Sequence, residues 1–216
     1  PTFSYKIANT ERGGKQKNRR VRVTEALTGK EVWDSGIVET ADQLFIPYAG
    51  EKLAPLTKYE FTVDVTLTTG EAASEKGSFV TGKLASKWVG KWITKRSVRR
   101  EPDAYPAQYL RKTFEIKEGV KSAYLAICGL GYFESYINGK KTGDDVLSPA
   151  FTRYDAESMY LVYDVLSLLK AGKNAIGVIL GNGWYNCFTE DPWNTRAATW
   201  KHLPKLISEL HIVYED

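Results

Sequence analysis

Between residues 59 and 67 apolar and polar side chains alternate without a break: Tyr59, Phe61, Val63, Val65 and Leu67 against Glu60, Thr62, Asp64 and Thr66. A period of two puts one set on each face of an extended chain, so the segment is a half-buried β-strand. Thr68-Thr69-Gly70-Glu71 follows as a turn, and a second extended run ends at Ser78-Phe79-Val80-Thr81, which predicts an antiparallel hairpin. Shorter extended runs come earlier, at Phe3-Ser4-Tyr5-Lys6-Ile7, Val21-Arg22-Val23 and Gln43-Leu44-Phe45-Ile46, punctuated by Gly, Asn, Asp or Pro. Short strands at such spacing imply a β-sandwich.

Leu53-Ala54-Pro55-Leu56-Thr57-Lys58-Tyr59 resembles the tyrosine corner of fibronectin type III domains, in which the Tyr hydroxyl bonds to nearby backbone. Residues 1–84 are therefore expected to form a fibronectin type III-like sandwich. Over 85–106 the alternation fades, and the stretch carries Trp88, Trp92, a charged run from Lys95 to Glu101, Pro102 and Pro106. It is expected to be a linker or crossover, with the two Trp residues packed at an interface.

A second β-rich unit is expected over 107–216. Leu110, Phe114 and Ile116 share one strand face, Lys117-Glu118-Gly119 turns the chain, and residues 122–128 form a more buried strand. Residues 132–137 close on Asn138-Gly139-Lys140, and Asn-Gly is a strong hairpin signal because both turn positions need positive φ. Strands follow at 160–163, 174–180 and 205–214, while Asp164 to Gly172 has room for a helical turn or two behind an Asp cap. That order is a jelly-roll, galactose-binding-like pattern, so the whole chain is expected to be all-β.

Composition removes several functions. Lys+Arg 30 against Asp+Glu 26 leaves a formal charge of +4, too mild to predict a nucleic-acid partner. Arg12, Lys15, Lys17, Arg19, Arg20 and Arg22 cluster without interleaved aromatics, which suits a solvated hairpin loop rather than a phosphate track. No apolar run is long enough for a membrane-spanning helix, and the first residues lack a signal-peptide pattern. The absence of an initial Met and the end at Asp216 are those expected of a portion excised from a longer protein. Cys128 and Cys187 are too few for a disulfide framework and are expected as buried thiols. His202 and His211 sit in no metal-ligand pattern.

Four motifs in order carry a resemblance: Asn138-Gly139-Lys140-Lys141-Thr142-Gly143-Asp144-Asp145, Ser148-Pro149-Ala150-Phe151-Thr152-Arg153-Tyr154, Tyr163-Asp164-Val165, and Gly181-Asn182-Gly183-Trp184-Tyr185. Together they resemble the N-terminal β-sandwich of bacterial α-L-rhamnosidases. Trp33-Asp34-Ser35-Gly36 and Gly77-Ser78-Phe79-Val80-Thr81-Gly82 resemble the fibronectin-like domain before it.

The resemblance implies a glycoside hydrolase whose two catalytic carboxyl groups lie in a downstream (α/α) barrel, so no catalytic residue is expected in this chain. The implied role is a non-catalytic scaffold for that barrel, in a periplasmic or secreted parent acting on rhamnose-containing glycans. The alternatives are a calcium-dependent rhamnose-binding module and an adhesion or docking protein that shares only the fold. Some family members bind rhamnose through calcium in this sandwich, which implies hard oxygen ligands. The candidate carbohydrate-binding residues are Asp144, Asp145, Asn182, Trp184, Tyr185, Trp193 and Asn194, with Asp144, Asp145 and Asn194 as candidate metal ligands. Asn186, Glu190 and Asp191 add oxygens to the same loop. Each has a structural alternative: the aspartates as turn residues, Trp184 and Tyr185 as core or as a docking face.

Overall fold

The computed structural model describes residues 1–8, 13–95 and 106–215. The chain divides into two compact units, Pro1–Ala85 and Ser86–Asp216. Among the described residues every regular element is a strand apart from two short 3-10 turns.

The first unit contains β1 (Thr2–Phe3), β2 (Gln16–Glu25), β3 (Glu31–Asp34), β4 (Val38–Glu39), β5 (Ile46–Pro47), β6 (Lys58–Leu67) and β7 (Ala72–Val80). One sheet runs β3-β2-β6-β7, with β4 also on β2, and β1 pairs with β5 in a second small sheet. The alternation of residues 59–67 has its predicted outcome: Tyr59, Val63, Val65 and Leu67 are buried. Tyr59, Val63 and Val65 pack with Phe3, Val21, Val23, Val32 and Ile46, so both sheets contribute to one core. Gly77 is open enough to let the Phe61 ring lie across β7, since a Cβ there would sit 2.4 Å from that ring.

The tyrosine corner is present. The Ala54 N–H donates to the Tyr59 hydroxyl at 2.9 Å, and Thr81 Oγ1 donates to the Ala54 carbonyl at 2.6 Å. The basic cluster is not a loop, however. Lys17, Arg19, Arg20 and Arg22 belong to β2, which is bordered by β3, β4 and β6; Arg12 lies outside the described residues. Val21 and Val23, fully buried, hold this strand in the sheet, while Arg20 and Arg22 are neutralised by Asp34 and Asp64.

The second unit contains β8 (Gln108–Ile116), β9 (Val120–Leu130), β10 (Phe133–Ile137), β11 (Lys140–Lys141), β12 (Leu161–Asp164), β13 (Gly172–Leu180) and β14 (Lys205–Tyr214). A four-stranded sheet, β11-β10-β13-β8, faces a three-stranded one, β12-β9-β14, and every pairing is antiparallel. Leu125 and Ile127 from one sheet meet Phe133, Ile137, Val178 and Leu180 from the other. In β9 the run Ala123–Gly129 is buried without alternation, so this strand is covered on both faces. The Asn138-Gly139 turn has the positive φ values it needs, 52° and 84°. Between β12 and β13 the expected helical turn is a 3-10 turn at Leu166–Leu168, whose Leu166 N–H donates to Asp164 Oδ1 at 3.2 Å.

The described part of the 85–106 stretch is built into the second unit from residue 86 onward. Ile93 exchanges two backbone hydrogen bonds with Leu206, and Gly90 N–H donates to Glu209 Oε1 at 2.8 Å. Trp88 lies edge-on to Tyr160 at 5.7 Å, while Trp92 is partly exposed. The charged run from 96 to 101 and Pro102 lie outside the described residues.

Candidate functional site

The predicted residues come from two loops of the second sandwich. The first, residues 142–148, runs along the edge of β10: Thr142 N–H donates to the Ser135 carbonyl at 2.9 Å, and Phe133 N–H to the Ser148 carbonyl at 3.0 Å. Gly143 is packed under Tyr163 of β12, where a Cβ would lie 2.4 Å from the ring. This closeness sets the exposed Asp145 carboxylate beside the Tyr163 hydroxyl, which donates to it. Burial, and then that bond and the charges of Asp145 and Asp144, push the Tyr163 phenol above its ordinary value. Lys141 Nζ also donates to the Asp145 carbonyl oxygen at 3.3 Å.

The second loop follows β13. Asn182 Oδ1 accepts from Asn186 Nδ2 at 2.8 Å, and the Asn186 side chain is buried, so this pair holds the first loop turn together. Trp184 is half-buried; its indole N–H donates to the Tyr132 hydroxyl, and its ring meets Phe151 and Trp193 edge-on, each at 6.2 Å. Tyr185 is buried, 5.3 Å edge-on from Tyr154, which itself contacts Phe151 and Trp200. Trp193, by contrast, is 74% exposed.

Asp191 organises the rest. Its Oδ1 accepts from Trp193 N–H at 2.9 Å, and its Oδ2 accepts from Thr195 N–H at 3.2 Å and from Thr195 Oγ1. The Thr195 hydroxyl is the main reason its carboxyl lies below the usual carboxylate range. Asn194, with φ 53°, is the left-handed residue that enters the 3-10 turn Thr195–Ala197.

The structure thus brings Trp184 and Trp193 together and buries Tyr185 against Tyr154. It brings Asp144 and Asp145 to Tyr163. Among the described residues no hydrogen bond links either aspartate to Asn194, and no group of three or more His, Cys, Asp or Glu side chains could hold a metal ion. As hard oxygen donors, Asp144 and Asp145 suit calcium in chemistry, although the predicted third ligand belongs to a different turn. The residues missed from sequence are Tyr132, Phe151, Tyr154 and Trp200. Phe151 and Tyr154 stand in the Ser148–Tyr154 motif itself, and the signal for a role was aromatic content in a segment too irregular to be a strand.

The model of the α-L-rhamnosidase N-terminal domain matches residues 118–216, and that of the Rha78A-like N-terminal immunoglobulin domain matches residues 1–85. Residues 118–216 thus match the N-terminal domain of α-L-rhamnosidases, and residues 1–85 the immunoglobulin domain of their Rha78A-like members. An α-L-rhamnosidase of Formosa agariphila is 34% identical over 212 residues, covering 86% of this chain and 22% of that protein. The structure of the α-L-rhamnosidase from Dictyoglumus thermophilum aligns at TM-score 0.79 and 35% identity over 99% of this chain and 25% of that one. The native Aspergillus terreus α-L-rhamnosidase aligns at TM-score 0.83 with 24% identity, covering 99% of this chain and 25% of that one, a likeness of fold. The chain spans about a quarter of the length of the relatives it matches. Its first unit is an immunoglobulin-type sandwich, the architecture that fibronectin type III domains share.

Proposed function

We propose that this chain is the non-catalytic N-terminal portion of an α-L-rhamnosidase, holding a downstream (α/α) barrel that removes terminal rhamnose in a periplasmic or extracellular enzyme. The observation that carries it is apolar surface left exposed in the loop segments: Val146 and Leu147 are 75% and 72% exposed, and Phe151 reaches Trp193 through Trp184. Exposed apolar surface of this kind marks an interaction site. Hydrogen exchange compared between this chain and a longer polypeptide carrying the barrel tests it. Protection of residues 146–151 and 191–195 in the longer form is expected, and equal exchange in both would overturn the docking role. The chain alone is expected to release no rhamnose from a chromogenic rhamnoside.

The exposed face of Trp193 supports a second reading, a rhamnose-binding surface to which calcium is recruited by Asp144 and Asp145. A sugar's apolar face stacks on an aromatic ring while its hydroxyls take hydrogen bonds or a metal. Titration with L-rhamnose in calcium, repeated with a chelator, separates the cases. Chelator-sensitive shifts at Asp144, Asp145 and Trp193 support this reading, and no response at millimolar sugar removes it.

A further inference from the structure

The outer face of the four-stranded sheet carries a trough that neither loop contributes to. The strand register builds it: Tyr136 on β10 and Arg111 on β8 flank Gly177 on β13, and in the adjacent row Glu134 and Tyr109 flank Ile179. Gly177 has ordinary extended backbone, and a Cβ there would meet nothing closer than the Leu110 carbonyl at 4.0 Å. The missing side chain therefore opens a space of about 330 Å³, floored by Ala175, Gly177 and Ile179. That size falls within the range of small-ligand sites, about 300–1,000 Å³.

The walls of this space are amphipathic. Tyr109 is 79% exposed, so its ring is presented to solvent. The Tyr136 hydroxyl donates to Glu134 Oε2 at 2.7 Å, and Lys141 Nζ donates to Glu134 Oε1 at 2.9 Å. Held by those two donors, the Glu134 carboxyl sits below its ordinary value and stays an acceptor through the neutral range. A glycine in mid-strand sacrifices stability, and it commonly marks a place where something approaches the backbone closely.

We propose that this trough binds a pyranose ring, whose C–H face lies on the Gly177 floor against the tyrosine rings while its hydroxyls reach Glu134, Lys141 and Arg111. Shallow apolar floors with donors and acceptors on the rim suit a saccharide better than a peptide, which needs a deeper apolar anchor. The choice of a sugar rests on the rhamnosidase reading; the trough shares with the loop site only Lys141, which also touches the Asp145 carbonyl.

The test is an amide-shift titration of the 216-residue chain with a neutral disaccharide glycoside ending in rhamnose. Saturable shifts are expected at Arg111, Tyr136 and Gly177, at least tenfold weaker binding in Gly177→Val, and an unchanged or higher melting temperature in that variant, because a β-branched residue suits an open strand position. Tyr109→Ala, which removes an exposed side chain, is expected to weaken binding as well and serves if Gly177→Val does not fold. Shifts confined to residues 144–151 and 182–195, or unaltered by both substitutions, would overturn the trough while leaving the loop site standing. Shifts at the trough alone would support it even if the loop reading fails.

Discussion

Asn138 Nδ2 donates to Asn174 Oδ1 at 2.8 Å and ties the Asn-Gly hairpin to the start of β13. Asn174 is buried, and its amide is fully used: Oδ1 also accepts from Lys170 N–H, and Nδ2 donates to the carbonyls of Lys170 and Gly172. Asn174→Ala leaves several buried groups without partners. The expected loss is about 2–3 kcal/mol in the second unit. Denaturant unfolding followed by tryptophan fluorescence checks this, since five of the six Trp residues lie in that unit.

Acid should act on the first unit through Asp34. The Arg20 guanidinium, and then the Gly36 N–H, lower its carboxyl to about 2 from an ordinary 3.8. A group depressed in the folded state contributes stability above its unfolded value, and that contribution disappears as the pH falls through the folded one. The window is therefore between about 4 and 2, and the pair is surface-exposed, so salt should weaken it. Carboxyl titration by NMR is expected to show the low value, and Asp34→Asn is expected to flatten the unit's acid sensitivity in that window.

Removing the Asp191 carboxylate should loosen one loop and spare the sandwich. Trp193 and Thr195 both rely on it for their N–H groups. Asp191→Ala is expected to speed amide exchange at those positions by about tenfold or more while the strands keep their protection. Exchange mass spectrometry resolves the two; equal acceleration in β9 would contradict a local role.

The two thiols should behave differently. Burial pushes Cys128 up to about 12, so it is expected to resist alkylation at pH 8 until the second unit unfolds. At Cys187 burial opposes ionisation, yet the hydrogen bonds shared with Thr195 and Thr189 bring the thiol below its ordinary value. Cys187 is therefore expected to label first, and peptide mapping of partly modified protein will show the order.

What the sequence disclosed followed its periodicity. The Tyr59 strand, the buried run in β9 and the Asn138-Gly139 turn were legible because period and φ requirement act within a few residues. Arg20 and Arg22 misled, since charge suggests a solvated loop while the partners that neutralise them, Asp34 and Asp64, lie far along the chain. In the loops, the residue types were visible but their meeting was not. Nothing local tells Trp184 that Phe151 and Trp193 are its neighbours, or Asp145 that Tyr163 is its donor. The Gly177 trough depends on register across three strands and has no linear signature.

Strand β9 is buried on both faces, and the aromatic cluster has a buried side of its own: Tyr185 is buried, and burial pushes the Tyr154 phenol up to about 12. The aromatic cluster is thus packing as well as candidate surface. A substitution at Tyr154 or Tyr185 would open space inside the cluster, so changes in recognition there would arrive together with changes in folding. Variation that leaves the fold intact is open only to the outermost rings, Trp193 and Phe151.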